Sequence, residues 1–176
     1  MCNVFVLKRK GEMWESREGK EEMIKRLGWK EGGIVREGDI VIMIGNVGRI
    51  LREGKDVEME KLMRSEVKLM GICYGYEYLV KGSGGEIEEG KLKRGLKIGE
   101  WYNHHDSVKR LGKEWKGKKK WGRWKEGETR KWKGYQYHPE HNKKTMKRML
   151  DVIEKWKKEC NTRKRRKVVL KLRRER

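Results

Sequence analysis

The sequence of 176 residues has no alanine and only one proline and one phenylalanine. All alanine and proline codons contain cytosine, whereas the abundant residues (Lys, Arg, Glu, Gly, Trp and Met) are encoded largely by purine-rich, cytosine-poor codons. We therefore hypothesise that a skewed base composition produced part of this residue usage. An ordinary base composition in the coding DNA would contradict the hypothesis.

Long apolar runs and paired cysteines are also missing. No run approaches the ~20 apolar residues that a membrane-spanning helix needs, and the run 3–7 is too short and too closely followed by charges for a signal peptide. The three cysteines, Cys2, Cys73 and Cys160, are widely spaced and odd in number, which fits neither a disulfide framework nor a zinc pattern. The sequence therefore predicts a cytoplasmic protein in a reducing compartment, with no metal, cofactor or membrane contact.

Charge is the feature that the sequence has in excess. Charged residues make up 43% of the chain, and the formal net charge is +21. Such an excess favours a polyanionic partner such as nucleic acid, although a compositional bias in the gene would produce it equally well. The mean hydropathy of -1.07 favours disorder. The apolar residues nevertheless cluster in strand-like runs at 40–44 and 67–72, which indicates a folded core.

The order of the apolar patterns predicts an α/β fold with a mainly parallel sheet. Patterns typical of strands occur at 3–7, 39–44, 67–72 and 134–137, and helical patterns occur at 19–27, 57–62 and 141–158. Residues 85–108 have the pattern of short strands separated by turns, and the Lys-rich stretch 113–131 has no clear pattern. We expect one domain over residues 1–159 and a flexible basic tail over residues 160–176.

Cys73 lies where a predicted buried strand runs into a predicted helix. The segment Gly71-Ile72-Cys73-Tyr74-Gly75 has the strand–turn–helix pattern of a nucleophile elbow, in which flanking glycines permit a sharp turn. The turn leaves the side chain at the carboxyl end of the sheet, where open α/β folds bind ligands. We expect the helix N-terminus to favour the thiolate by lowering the pKa of the thiol. Taken alone, a cysteine after a strand is more often a small buried apolar residue.

A second segment, 134–140, supplies partners for a cysteine nucleophile. His138 follows a short predicted strand, and Glu140 comes two residues later. A histidine can take the proton of a thiol, and a carboxylate can orient the imidazole ring. Because triad partners meet in space rather than in sequence, the separation of Cys73 and His138 is compatible with a Cys-His-Glu triad.

These two segments resemble the signature motifs of the class I glutamine amidotransferase family. A third segment, 101–108 (WYNHHDSV), is similar to the block that lies between those motifs, especially to its form in the amidotransferase part of GMP synthases. The order and spacing of all three segments agree with the family. The resemblance implies a flavodoxin-like, three-layer α/β sandwich with a mostly parallel central sheet.

The resemblance also implies hydrolysis of the side-chain amide of glutamine. The ammonia would pass to a synthetase on another chain, of the GMP synthase type, which acts in purine biosynthesis. Cys73 would attack the amide, His138 would relay protons, and Glu140 would hold His138. The backbone N–H groups of Gly45 and Tyr74 would form the oxyanion hole. The residues implied to line the substrate pocket are Glu77, Asn103, His104, His105, Asp106 and Ser107.

Two departures from the family pattern leave other functions open. Glu77 stands where the family usually has glutamine, and its carboxylate would oppose the carboxylate of the substrate. The turn at Gly45 lacks the glycine-glycine-proline sequence of the family. One alternative is a γ-glutamyl hydrolase with the same triad. Another is a catalytically decayed scaffold that binds nucleic acid or a larger assembly.

Residues outside the motifs admit further interpretations. Four tryptophans interleaved with lysines would suit base stacking or a surface loop that packs partly on the sheet: Trp115, Trp121, Trp124 and Trp132. The basic tail suits either a nuclear localisation signal or a solvated tail. We expect no metal at His104 and His105, because the sequence shows no complete set of further ligands.

Overall fold

The computed structural model describes residues 2–7, 12–13, 17–46, 50–51, 54, 56–97, 99–120, 122–161 and 167–172. Within these residues, no helix is both long enough and apolar enough to cross a membrane. Trp121 and residues 163–166 of the basic cluster 163–167, on which two interpretations of the sequence depend, lie outside the described residues.

Strands and helices alternate in the first half of the chain, and strands dominate most of the second half. The strands are β1 Val4–Leu7, β2 Glu12–Met13, β3 Gly33–Arg36, β4 Ile40–Met43, β5 Gly45–Asn46, β6 Lys68–Ile72, β7 Glu86–Glu88, β8 Lys93–Lys97, β9 Glu100–His104, β10 Ser107–Arg110, β11 Lys116–Lys120, β12 Arg123–Glu128, β13 Trp132–Tyr135 and β14 Val168–Leu172. The helices are α1 Arg17–Leu27, α2 Val57–Arg64, α3 Tyr74–Gly82 and α4 Lys143–Asn161, and a short 3₁₀-helix spans Pro139–His141. The predicted strands and helices occur where the sequence placed them, with ends shifted by a few residues.

A six-stranded sheet in the order β1-β4-β6-β13-β12-β11 forms the centre of the domain. β1, β4, β6 and β13 run parallel to one another, and β12 and β11 continue the sheet in antiparallel pairing. The predicted, mostly parallel α/β sheet is therefore confirmed. Ile72 at the end of β6 pairs with Tyr135 at the end of β13. The residues that follow these two strands consequently emerge side by side at the carboxyl edge of the sheet.

Two apolar cores, one on each face of the sheet, make the domain a three-layer sandwich. Successive side chains of a strand point to opposite faces, so Val4 and Val6 pack into the core under α1 and α4, whereas Phe5 and Leu7 pack into the core under α2 and α3. All residues of β1 and β4 are buried. Coverage on both faces explains why these strands are continuously apolar rather than alternating.

Two helix ends are fixed by local capping. Gly28 has a φ of 56°, and its N–H donates to the carbonyl of Ile24 at 2.9 Å. This left-handed conformation ends α1, as expected for a glycine that follows a helix. At the start of α2, Oδ1 of Asp56 accepts a hydrogen bond from the N–H of Met59 at 3.0 Å, which satisfies a backbone donor that the helix itself leaves unpaired.

The Lys-rich stretch 113–131 forms the antiparallel hairpin of β11 and β12. Lys118 pairs with Glu126 across the ladder, and Nζ lies 3.2 Å from Oε1. Trp115 and Trp132 are buried beneath the hairpin, with ring centroids 6.1 Å apart, so neither is available to stack on a base. The sequence shows no apolar run here because this part of the core is filled by two widely spaced aromatic residues.

The predicted flexible tail is wrong for the part of it that the structure describes. α4 extends to Asn161, and β14 pairs in antiparallel fashion with β3, with Leu172 opposite Gly33. Leu172 is buried in the core that also contains Val35. The run Val168–Leu172 is apolar enough to complete a small sheet despite its basic neighbours.

Candidate active site

Cys73 occupies the turn between β6 and α3. Its backbone has a φ of 55° and a ψ of -111°, and it is the one residue other than glycine with a positive φ in the described part of the chain. Such conformations are strained and occur mainly where a site requires them. The N–H of Cys73 donates to the carbonyl of Tyr135 at 2.7 Å, which ties the turn to β13. The turn thus has the form that the sequence predicted for a nucleophile elbow.

Glycines on both sides of Cys73 make this turn possible. A Cβ at Gly71 would lie 2.5 Å from the backbone nitrogen of Tyr76, and a Cβ at Gly75 would lie 2.3 Å from the carbonyl oxygen of Met43. Both distances are far inside van der Waals contact, so a side chain at either position would push the backbone apart. The glycines therefore allow α3 to begin directly against the sheet.

His138 emerges beside Cys73 because it follows β13, the neighbour of β6. Nδ1 of His138 lies 2.9 Å from Oε1 of Glu140, and both side chains are only 1% exposed. Nε2 is buried and makes no hydrogen bond of ordinary geometry with any other described residue. Since Nδ1 is held by Glu140, Nε2 is the nitrogen available to the thiol of Cys73, and the two side chains are close enough to shift each other's pKa.

The turn that carries Glu140 is supported by helices on both sides. The hydroxyl of Thr145, in α4, donates to the carbonyl of Pro139 at 2.9 Å. Gly19, in α1, packs so closely on the carbonyl of Glu140 that a Cβ would clash with it. Both helices of one outer layer therefore position the acidic partner of His138.

The pKa of the Cys73 thiol is raised, whereas the sequence predicted that the helix N-terminus would lower it. Burial raises the pKa of the Cys73 thiol, and the charge of Glu77 adds to this, while His138 and the N–H of Tyr74 oppose it. The expected lowering by the helix N-terminus is thus outweighed by desolvation. Burial alone would lower the pKa of His138, but its interactions with Cys73 and Glu140 prevail and raise it to about 10. Because each group's charge affects the other, the two titrate as a coupled pair.

Glu77 lies one helical turn after Cys73 and is 3% exposed. Its Oε1 accepts a hydrogen bond from Nε2 of Gln136 at 2.7 Å, and Oε1 of Gln136 accepts one from the N–H of Val108 at 3.3 Å. Gln136 therefore links α3 to the strand that ends the 101–108 block. The carboxylate acts on the nucleophile itself as well as on any substrate nearby, because its charge raises the pKa of Cys73.

The 101–108 block contacts the side chain of Cys73 through a main-chain carbonyl of the block. The carbonyl oxygen of Asn103 lies 3.5 Å from Sγ of Cys73. His105 is exposed and is not brought into the buried group around the nucleophile. The other members of the block that the resemblance placed in the pocket are buried: His104, Asp106 and Ser107.

His104 is uncharged at neutral pH. Burial lowers its pKa to about 4, although the hydrogen bond to the Asp106 carbonyl opposes this shift. With a neutral ring, Nδ1 carries the proton that it donates to that carbonyl. The ring packs on Tyr102 with centroids 5.7 Å apart. His104 therefore adds shape and a polar nitrogen to this region but no positive charge.

The structure supports the two predicted oxyanion donors, Tyr74 and Gly45, to different degrees. The N–H of Tyr74, the first residue of α3, lies against the sulfur of Cys73 and stabilises its charged form. Gly45 lies in the two-residue strand β5, opposite Met13 of β2. Its role as an oxyanion donor stays a prediction.

Several polar residues of this region gave no signal as site residues. Nζ of Lys93 and Nη1 of Arg123 both donate to Oγ of Ser107, at 3.2 Å and 3.0 Å, but in the sequence they are ordinary members of basic stretches. Gln136 is the chain's only glutamine and lies within the 134–140 segment, and these two facts were the signals that could have found it.

A possible metal-ligating group lies at the opposite end of the sheet from Cys73. Side chains of Cys2, Asp39 and Cys160 are buried, and their potential ligand atoms lie within 4.8 Å of one another. Asp39 already accepts hydrogen bonds from the N–H groups of Asn3, at 3.0 Å, and Arg36, at 2.8 Å. The carboxylate therefore has a structural task, which is to fasten β1 to the turn before β4.

Comparisons with known proteins establish the fold. No protein-family model and no curated protein matches the sequence. Among solved structures, a protein from Thermoplasma acidophilum that is provisionally named as a GMP synthase subunit is 16% identical with a TM-score of 0.63, over 92% of this chain and 95% of that one. A glutamine amidotransferase from Thermotoga maritima is 15% identical with a TM-score of 0.55, over 90% of this chain and 84% of that one.

A further glutamine amidotransferase is 16% identical with a TM-score of 0.57, over 90% of this chain and 98% of its own. The chain therefore has the flavodoxin-like fold of the class I glutamine amidotransferases, as the sequence motifs implied. At these identities the likeness concerns the fold, so any assignment of function depends on the site.

Proposed function

We propose that this chain is a glutamine amidotransferase subunit that hydrolyses glutamine at Cys73 and supplies ammonia to a synthetase on a separate chain. The observation that carries the proposal is the meeting of a strained Cys73 with His138 and Glu140 at adjoining carboxyl ends of β6 and β13. The fold shared with glutamine amidotransferases supports it. The name of one structural neighbour favours an acceptor of the GMP synthase type, and hence purine biosynthesis.

The chemistry follows from the position of each group. The proton shared by Cys73 and His138 lies on Nε2 when Sγ attacks the amide carbon of glutamine as the thiolate, in keeping with the raised pKa of His138, and Glu140 stabilises the imidazolium. The N–H groups of Tyr74 and Gly45 stabilise the tetrahedral oxyanion, and such a donor contributes roughly 3 kcal/mol. The imidazolium protonates the departing ammonia and leaves a thioester. Water, deprotonated by His138, then releases glutamate and restores the thiol.

Burial of the nucleophile suggests that turnover requires opening of the site. Cys73 is 4% exposed, and the carbonyl of Asn103 covers its sulfur. Movement of β9 away from α3 would expose the sulfur to substrate. Docking of a synthetase chain would be a suitable trigger, because such conformational steps commonly limit turnover.

Glutamate release from glutamine tests the proposal. We expect release by the wild-type protein and by Cys2→Ser, which removes a buried cysteine at the opposite end of the sheet, and no release by Cys73→Ala. Equal release by Cys73→Ala would contradict the proposed nucleophile. If no variant releases glutamate without a partner, a glutamine-like electrophile should still label Cys73. Failure to label it would leave the proposal without support.

Glu77 favours a second candidate, a γ-glutamyl hydrolase with the same triad. Its buried carboxylate would repel the α-carboxylate of free glutamine. A γ-glutamyl amide carries the same carboxylate, but the group on its amide nitrogen would add contacts that offset the repulsion. Turnover of glutamine and of γ-glutamyl amides by the same preparation separates the two. A strong preference for the amides, relieved in Glu77→Gln, would favour the hydrolase.

A further inference from the structure

A cationic cavity lies beside the candidate active site, between the β8–β9 hairpin and the start of β12. Its volume is about 240 Å³. None of the described residues that line it is acidic. Five cationic side chains line it: Lys93, Lys97, Lys120, Arg123 and Lys125. Neither Cys73 nor His138 belongs to its wall, whereas His104 and Ser107, which the resemblance implied for the substrate pocket, do.

Part of this positive charge is anchored by acidic residues behind the wall. Glu100 is buried, and its carboxylate lies 2.6 Å from Nζ of Lys125 and 3.8 Å from Nζ of Lys120. Nη2 of Arg123 lies 3.0 Å from Oε1 of Glu88. These ion pairs hold the cationic groups in fixed positions, which is the preorganisation that a specific anion site requires.

Two of the cationic groups converge on a neutral oxygen. Lys93, on β8, and Arg123, on β12, both donate to Oγ of Ser107, which is buried. Their like charges repel each other across a hydroxyl that offers no charge in return. An anionic oxygen placed there would form charge-assisted hydrogen bonds with both groups, and the hydroxyl could donate its own proton. This geometry suits the several oxygens of a phosphate.

An aromatic surface completes the wall. Trp124 and Tyr102 line the cavity, and Nζ of Lys119 lies 4.8 Å from the centroid of the Trp124 ring. A single phosphate would fill only part of the volume and would leave these apolar faces uncovered. The remaining space therefore suits an organic group with a flat face.

We propose that this cavity binds a small phosphorylated organic molecule, with its phosphate on Lys93, Arg123 and Ser107 and its organic part against Trp124. The cavity adjoins the nucleophile's surroundings through Gln136, which lines it and donates to Glu77. The ligand would also bridge β8 to β12 and so hold in place the hairpin whose Asn103 carbonyl covers Cys73. Binding does not depend on glutamine hydrolysis and can be tested without it.

Calorimetric titration of the full chain with adenosine monophosphate, at about 0.15 M salt to screen non-specific contacts, tests this proposal. We expect saturable binding of one molecule per chain, unchanged in Cys73→Ala. Lys93→Gln and Arg123→Gln should each weaken binding by roughly tenfold or more, and Lys93→Arg should restore most of it. The matched control is Lys109→Gln, an exposed lysine two residues after Ser107, which should change the affinity by less than about twofold.

Three results would overturn the proposal. The first is a lack of saturable binding to both adenosine monophosphate and inorganic pyrophosphate. The second is an equal loss of affinity in Lys109→Gln, which would show that only the overall charge matters. The third is equally tight binding of citrate, which would remove the preference for phosphate. Thermal melts of every variant confirm folding, and a change in tryptophan fluorescence on binding, lost in Trp124→Phe, gives a readout that leaves the cationic side chains intact.

Discussion

The parallel and antiparallel halves of the central sheet are built from different residues by different means. β1, β4, β6 and β13 are covered by helices on both faces and consist mainly of buried apolar residues. β11 consists of four lysines and one glycine, most of them exposed. The parallel half is stabilised by burial of apolar surface, whereas the hairpin depends on its hydrogen-bond ladder, its ion pairs and the aromatic residues beneath it.

The two halves also contribute differently to the sites: the parallel half positions the candidate catalytic residues, and the antiparallel half supplies cationic side chains. The parallel half holds Cys73 and His138 at adjoining strand ends, where two cores fix the backbone and so tolerate a strained turn. The antiparallel half carries Arg123 and Lys125 to the cationic cavity. Substitutions in the first half should therefore change the fold and the chemistry, and substitutions in the second should mainly change binding.

The same glycine-to-alanine change should have its largest effect in the parallel half. Gly71→Ala places a Cβ 2.5 Å from the backbone of α3, and we expect it to reduce the free energy of unfolding by about 3 kcal/mol or more. Gly122→Ala, in the hairpin turn, meets open space at a φ of 74° and should cost about 1 kcal/mol. Urea unfolding measures both, with Gly54→Ala as control because nothing lies near its Cβ. Similar losses of unfolding free energy in Gly71→Ala and Gly122→Ala would contradict the difference between the two halves of the sheet.

Glu140→Gln should have the next largest effect, on activity rather than on folding. Given the proposed glutamine hydrolysis, we expect kcat to fall by roughly 100-fold or more, because the amide cannot stabilise the imidazolium of His138. Glu140 raises the pKa of His138, so the same change should lower that pKa, which a pH profile of kcat would register. The control Glu128→Gln alters an exposed hairpin carboxylate that pairs with Lys133 at 3.0 Å. An equal loss of kcat in the control would argue against the triad.

Glu77→Gln should have a smaller effect, and it should increase the reactivity of Cys73 rather than reduce activity. The charge of Glu77 raises the pKa of Cys73, so its removal should lower that pKa and increase the thiolate fraction at neutral pH. We expect alkylation of Cys73 by iodoacetamide to begin at lower pH and to be several-fold faster near pH 7. Glu114→Gln, an exposed change before β11, should leave the alkylation profile unaltered. A shift of the Glu77→Gln profile to higher pH would show that the hydrogen bond from Gln136 matters more than the charge.

The two halves also differ in how much the sequence could predict. β4 and β6 appear as continuous apolar runs, and the nucleophile turn follows β6 with its two glycines, so fold class and candidate triad residues could both be predicted. The hairpin could not, because its lysines contribute hydrogen bonds and ion pairs rather than an apolar pattern. The raised pKa of Cys73 was missed for a related reason: desolvation depends on what the whole fold places around the thiol, whereas the helix N-terminus is a local feature.

The smallest effect is expected for Lys116→Thr in β11. The side chain is exposed, and threonine favours strands, so we expect the free energy of unfolding to change by less than about 0.5 kcal/mol. Any gain should shrink as salt is added, because it would come from reduced repulsion within a chain of net charge +21. A loss of more than about 1 kcal/mol would show that this lysine supports the fold. A neutral result would mean that folding does not require the charge of Lys116, which leaves the base composition of the gene or an anionic partner as the reason for this lysine.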